Sequence, residues 1–377
     1  MVGFEGATPL AVRHVGPVTP AGSGDDAVVA GVLTDLNTYW SATLPTAFGH
    51  EFAPLTGGYV SIDSSADAGR SWCITSPSQI AGNAYYCPTG DAIVYDSAGL
   101  VPVLLGHYGA AGLTASFAHE FGHAIQARIG PTAAQRTADP TKYPSLLIEA
   151  QGDCFAGAFL AEAVAGRTAH VRLPEPSMVR AVAPLLDFAD PVTVRVDDPT
   201  AHGLALDRLT AVLDGYRSGA AACHALTRGA LHPTLGRAGL TDTPRPHRFA
   251  STAAALAAGR PAMLALAARL PAAAGSAAAA TPSAADLAAA APYGQFAAAA
   301  ALALSIGRAT KGTAVGAACF AGAWTASVFG HAADGALGSW GGDADEALNM
   351  LRARPDATIG ELAGFADGFA RGLAACR

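Results

Sequence analysis

Ala118-His119-Glu120-Phe121-Gly122-His123 decides how the first half of this chain is read. Its two histidines are four residues apart, slightly more than one helical turn, so both imidazoles fall on one face. Two neutral imidazoles so placed can hold one Zn²⁺, and Glu120 between them is positioned as a general base toward a zinc-bound water. A helix is expected here. Ala111 to Ile129 is rich in Ala, Leu and Phe, and Gly130-Pro131 supplies a stop.

The third ligand is expected one helix downstream. Tyr143-Pro144-Ser145-Leu146-Leu147-Ile148-Glu149-Ala150-Gln151-Gly152-Asp153 opens with a Pro/Ser start signal and runs into Ala and Leu. Glu149 and Asp153 are again four apart and share a face. Glu149 can ligate zinc, and Asp153 can accept the free N–H of a ligating imidazole and fix its tautomer. Asp139 and Glu162 compete as third ligand but lack the ExxxD context. Three protein ligands leave a fourth position for water, the catalytic arrangement of zinc.

His119-Glu120-Phe121-Gly122-His123-Ala124-Ile125-Gln126 followed by Glu149-Ala150-Gln151-Gly152-Asp153-Cys154-Phe155-Ala156-Gly157 resembles the HEFGHxxQ and ExQADCxAG pattern of bacterial, actinobacterial-type neutral zinc metallopeptidases. Asn83 to Pro88 and Ala92 to Asp96 look like that family's Cys-bearing strand region. Ala201-His202-Gly203, Asp207-Arg208 and Asp214-Gly215-Tyr216 look like its segment ending in Cys223. The resemblance runs from about Ala30 to Cys223. It implies a mainly helical α+β fold of the Glu-type zincin kind and a peptide or protein substrate. Gly152 replaces the family's usual Ala, a change expected to cost some helix stability and to touch no ligand. His202 falls in the family-like segment and has two readings: a donor to the oxyanion of the tetrahedral intermediate, or a structural histidine in a helix cap. Tyr85, Tyr86 and Tyr95 could supply a similar donor. His50, His107, His170, His224, His232 and His331 have no partner spacing and are read as surface or core.

A length of 377 residues allows two domains. The net charge of −7 argues against a nucleic-acid footprint. Mean hydropathy is +0.29, but the apolar excess is mostly Ala, and Phe296 to Gly307 is too short to span a bilayer. The first six residues lack the basic start and apolar core of a secretion leader.

Six cysteines point toward an oxidising compartment if they pair, and toward six buried thiols if they do not. An internal repeat favours pairing. Cys154-Phe155-Ala156-Gly157-Ala158-Phe159 returns as Cys319-Phe320-Ala321-Gly322-Ala323-Trp324, and Asp214-Gly215-Tyr216 through Cys223 returns as Asp367-Gly368-Phe369 through Cys376. Tyr108-Gly109 returns more faintly as Tyr293-Gly294. In that register Leu304, Ser305 and Arg308 stand where His119, Glu120 and His123 stand, and Ala314 and Ala318 replace Glu149 and Asp153. The second copy keeps helices and cysteines and has no zinc ligand. If each copy carries its own bridge, Cys154 pairs with Cys223 and Cys319 with Cys376, leaving Cys73 with Cys87. Bridges of this kind contribute about 3–4 kcal/mol each in the chain-entropy account.

The expected organisation is a flexible segment over 1–24, a zincin-like catalytic domain over 25–235, an Ala/Pro-rich connector or eroded remnant over 236–291, and a degenerate helical repeat over 292–377. Asp25 to Trp40 reads as the first helix, and Tyr59 to Ile62 and Ala92 to Tyr95 as strands. The function expected is a zinc metallopeptidase holding one Zn²⁺ on His119, His123 and Glu149, with Glu120 as base, in an extracellular or cell-envelope setting. The alternative is a weakly active or inactive zinc-binding scaffold of the cell envelope.

Overall fold

In the computed structural model, which describes residues 13–15, 24–231, 234, 249–270, 274–330 and 337–376, strand alternation builds a small sheet first. Strands β1 (Arg13–Val15), β2 (Gly58–Ile62), β3 (Ala84–Cys87) and β4 (Ala92–Asp96) lie in the order β1-β2-β4-β3. The first three in that order run parallel, and β3 closes the edge antiparallel to β4, with Tyr86 opposite Ile93. A period of two sends Val60, Ile62, Ala92 and Val94 to one face, where Ile74, Ile80 and Cys87 cover them. β1 is a strand inside the segment expected to be flexible; most of the rest of 1–24 lies outside the described residues.

The chain divides into two compact units, Met1–Phe188 with Ala211–Leu231 and Ala189–Thr210 with His232–Arg377. Helices α1 (Gly24–Phe48), α2 (Leu100–Val103, continued by a π-turn over Leu104–Tyr108), α3 (Gly109–Ile129), α4 (Ala133–Ala138), α5 (Ser145–Val164) and α6 (Met178–Asp187) belong to the first unit. So do most of α7 (Ala205–Ser218) and all of α8 (Ala220–His224). The result is a mainly helical α+β arrangement.

α1 buries a helically spaced stripe of Val29, Val32, Leu33, Leu36 and Trp40, with Val28 half-buried beside it. It outruns the expected end by eight residues, because Leu44 extends that stripe by one turn and its burial outweighs the cost of Pro45 inside the helix. α3 lays Phe117 and Phe121 on the sheet: Phe117 meets Tyr95 edge-on at 5.1 Å, and Phe121 lies 6.5 Å from Tyr59. Gly130, at φ +88°, ends α3 in a conformation that a β-carbon would strain. The continuous helical stretch Leu100–Ile129 is long and apolar enough to cross a membrane, but half of its apolar window is buried within the protein.

α5 and α7 meet through bare backbone. A β-carbon on Gly157 would collide with the Val212 carbonyl, and one on Gly215 with the Cys154 carbonyl. Gly157→Ala is therefore expected to destabilise the first unit by about 1–3 kcal/mol, read from a urea unfolding midpoint. An unshifted midpoint would show that the helices separate freely.

The second unit is helical among its described residues: α9 (Thr252–Ala267), α10 (Ala274–Ala279), α11 (Ala284–Ala290), α12 (Gln295–Lys311), α13 (Ala314–Ser327), α14 (Gly341–Arg352) and α15 (Ile359–Arg371). The division differs from the sequence-based one in two places. The described part of 236–291 is helix counted with this unit, since Ala is the best helix former and Ser251 and Ser283 cap α9 and α11; residues 236–248 lie outside the described set, as do His232 and His331. Ala189–Thr210, expected in the catalytic domain, also counts here, held by Asp345, which accepts the Ala205 and Leu206 N–H groups at 3.0 Å.

α13 and α15 repeat the contact of α5 with α7. A β-carbon on Gly322 would strike the Phe365 carbonyl, and one on Gly368 the Cys319 carbonyl. Cys319–Cys376 and Cys154–Cys223 each span 5.4 Å between Cα atoms.

Several carboxyls of the second unit are pushed up by burial: Asp207 and Asp343 to about 6, Asp345 to about 7 and Glu346 to about 8. Their unfolded values are about 4. Between those limits the folded state binds more protons than the unfolded one, so stability falls as pH rises from about 4 to about 8. The unfolding transition of this unit is expected to be higher at pH 5 than at pH 8, and Asp345→Asn to reduce the difference. A transition that rises with pH over this range would contradict the assignment.

Candidate metal centre

α3 advances 100° per residue, so its Phe117/Phe121 face and its His119/His123 face lie about half a turn apart, with Glu120 between them. The histidine face meets α5. The His119 and His123 Nε2 atoms are 3.2 Å apart, and Glu149 Oε2 lies 3.2 Å from the first and 3.5 Å from the second. One donor atom from each of the three residues lies within 4.8 Å of the others; among the described residues this is the one such group of three metal-capable side chains.

The outer nitrogens are already engaged. His119 Nδ1 is 2.7 Å from Asp153 Oδ1, and His123 Nδ1 is 2.9 Å from Gln126 Oε1. Both Nε2 atoms thus remain to face Glu149. Glu149 Oε2 is buried, and among the described residues it has no hydrogen-bond partner apart from the two imidazoles that face it. A buried carboxylate oxygen without a donor is costly unless a cation satisfies it. Two imidazole nitrogens and one carboxylate oxygen converging on one point form the donor set that zinc takes, so the residues present fit that ion.

The electrostatics of the metal-free protein agree. Burial lowers the pKa of His119, but the Asp153 charge and hydrogen bond, with Glu149, push it up to about 10. Burial likewise opposes protonation of His123, and Glu149 overcomes it. Burial works against the ionised form of Glu149, yet the two imidazoles hold its pKa well below the usual carboxylate range. Protonated imidazoles here supply the positive charge that a bound cation would bring, and protons and metal compete for the same nitrogens.

Glu120 is half-buried and points to the sheet edge, where its Oε2 accepts the backbone N–H of Tyr86 in β3 at 3.1 Å. Burial pushes its pKa up, opposed by the imidazole charges. α3 and α5 cross at Gly122 and Gly152: a β-carbon on Gly122 would stand 3.0 Å from the Gly152 carbonyl oxygen. Gly152 itself corrects the sequence-based expectation that this position touches no ligand. A β-carbon there would lie 3.2 Å from the rings of both His119 and His123, tighter than ordinary contact, so Ala would require the imidazoles to shift.

The fold thus gathers His119, Glu120, His123, Glu149 and Asp153, which the sequence had named from two helical spacings. All three cysteine pairs, Cys73–Cys87, Cys154–Cys223 and Cys319–Cys376, are bonded. Other candidates are engaged elsewhere. Asp139 accepts the Lys142 N–H, and Glu162 pairs with Arg167. Tyr86 donates its hydroxyl to Asp91, and Tyr95 is fully buried on Phe117. His202 counts with the second unit, where it is exposed and lies 3.4 Å from Asp190; that carboxylate also accepts the His202 and Gly203 N–H groups. Two participants carried no assigned role in the sequence reading. The Tyr86 N–H is main chain and leaves no mark in residue type. Gln126 does leave one, standing three residues after His123 on the same helix.

Residues 65–225 match the family model described as "Putative neutral zinc metallopeptidase". The match takes in all five gathered residues and four of the six cysteines. No curated protein and no solved structure matches the chain.

Proposed function

We propose that the chain is a zinc-dependent peptidase that hydrolyses peptide bonds with Glu120 as the base. The carrying observation is the convergence of His119 Nε2, His123 Nε2 and the buried Glu149 Oε2 on one point. Zinc bound there would supply Lewis acidity, polarising the scissile carbonyl and easing deprotonation of the attacking water. Glu120 takes the proton of that water and returns it to the leaving amine, a role suited to a carboxyl whose pKa burial raises. The Tyr86 N–H holds one Glu120 oxygen and leaves the other for the water. Asp153 fixes His119 with its Nδ1 protonated, so that Nε2 stays a donor.

The second unit is read as a degenerate copy of the first. The matched approaches of Gly157 and Gly322, and of Gly215 and Gly368, support this, as does Gly307 meeting Ala317 where Gly122 meets Gly152. At the position corresponding to His123, Arg308 instead pairs with Asp286 at 2.6 Å, and Asp286 also receives Arg354. Chemistry is thereby assigned to the first unit alone. Three disulfides favour an oxidising, extracellular or envelope setting.

The test is zinc analysis of the purified protein together with a peptide-library cleavage profile, with and without chelator. One zinc per chain and chelator-sensitive cleavage are expected. One zinc per chain with no cleavage would favour the scaffold reading, and no zinc would sink both.

A further inference from the structure

Among the described residues, no carboxylate stands behind His123. Its Nδ1 faces the side-chain amide of Gln126, 2.9 Å from Oε1. The orientation of that amide is settled by its other end. Gln126 Nε2 donates to the Ile148 carbonyl at 2.8 Å and to Gln151 Oε1 at 3.0 Å. Both are acceptors, so the nitrogen belongs there and the oxygen must face His123. Gln151 continues in the same sense, its Nε2 directed at the Leu226 carbonyl at 3.4 Å. Each glutamine is 2% exposed, so water does not compensate for a flipped amide. The chain ends on main-chain carbonyls, which cannot donate, and its direction is fixed throughout.

We propose that Gln126 and Gln151 are positioning residues, a neutral amide relay that keeps His123 protonated at Nδ1 and its Nε2 free as a metal donor. This rests on the zinc reading above. An amide oxygen accepts and never donates, so the imidazole opposite it must carry its hydrogen on Nδ1. The two ligand histidines are thereby treated differently: His119 is backed by the anion Asp153 and His123 by an uncharged group. Glu120, Glu149 and Asp153 already place three carboxyls around the site. A carboxylate at position 126 would add a fourth in a largely desolvated space, whereas an amide sets the tautomer without charge. Gln126 sits on α3, while Ile148 and Gln151 flank the ligand Glu149 on α5, so the relay joins both ligand-bearing helices at the turn that ligates.

The amides also tie α3 to α5, and that purely structural role must be separated from the relay. Gln126→Leu removes both the acceptor for His123 and the donors to α5. Gln126→Glu keeps the acceptor but loses the donors. The experiment is zinc competition against a chromophoric chelator on the full chain with its disulfides intact, with circular dichroism to confirm folding. The relay requires Gln126→Leu to weaken zinc binding by about 10–100-fold and Gln126→Glu to weaken it clearly less, because the carboxylate keeps the acceptor at Nδ1 while adding the charge that the amide avoids. Equal losses in the two variants would show a tie between helices and overturn the relay, and so would a Gln126→Leu variant with parental affinity. If the parent itself binds no zinc, the zinc reading fails and takes the relay with it. A second measurement needs no variant. In ¹⁵N spectra of the zinc-loaded parent, His123 Nδ1 should appear as a protonated nitrogen, and an unprotonated Nδ1 would overturn the proposal even with zinc bound.

Discussion

Glu120→Gln is expected to retain one zinc per chain while peptide hydrolysis falls by about 10²–10⁴-fold, the usual contribution of a positioned general base. The substitution is close to isosteric. It leaves an oxygen able to accept the Tyr86 N–H, so the link to β3 survives. The ligand atoms of His119, His123 and Glu149 are untouched, and metal content should not change. What is lost is a group able to take a proton from water. Parental kcat/KM in this variant, measured on a peptide shown to be cleaved by the parent, would remove Glu120 from the role.

The second large effect is expected from the Cys154–Cys223 bridge. Replacing both cysteines with serine opens a loop with a sequence separation of 69, and the chain-entropy account assigns such a bridge about 4 kcal/mol. The loss should fall on function as well. Cys154 follows Asp153 directly on α5, and Cys223 lies three residues before Leu226, whose carbonyl receives Gln151. Unfolding by denaturant should shift to a lower midpoint, and zinc should be released at lower chelator concentration. A shift corresponding to less than about 1 kcal/mol would mean that packing, not the bridge, holds this helix.

The residues of the candidate site were legible in sequence because each pair is spaced by little more than one helical turn. HExxH and ExxxD state their geometry without reference to the rest of the chain. The cysteine pairing was legible for a different reason, since the repeat supplied an internal comparison. What escaped belongs to the meeting of elements. The Tyr86 N–H reaches Glu120 because β3 is the sheet edge beside α3, and residue type says nothing about that. Gly152 looked neutral because its surroundings depend on where α5 crosses α3. The Ala/Pro-rich segment stayed open between connector and eroded remnant because Ala-rich composition serves an exposed tract and a packed helix equally well; Ala255, Ala277 and Ala290 are buried. α1 runs on past Trp40 because Leu44 carries its buried stripe one turn further, which the first-helix reading of Asp25 to Trp40 did not take in.

The glycine crossing of α3 and α5 has a bearing on how finely this site can be tuned. Where side chains separate two helices, a substitution can be absorbed by a change of rotamer, and the gap adjusts. At Gly122 the bare backbone meets the main chain of Gly152, and at Gly152 the imidazoles of His119 and His123 lie directly against bare backbone. The spacing between the histidines of one helix and the glutamate of the other is therefore inherited from peptide geometry itself. Such a site tolerates drift in its surroundings, but it has no gradual route to a wider or narrower gap.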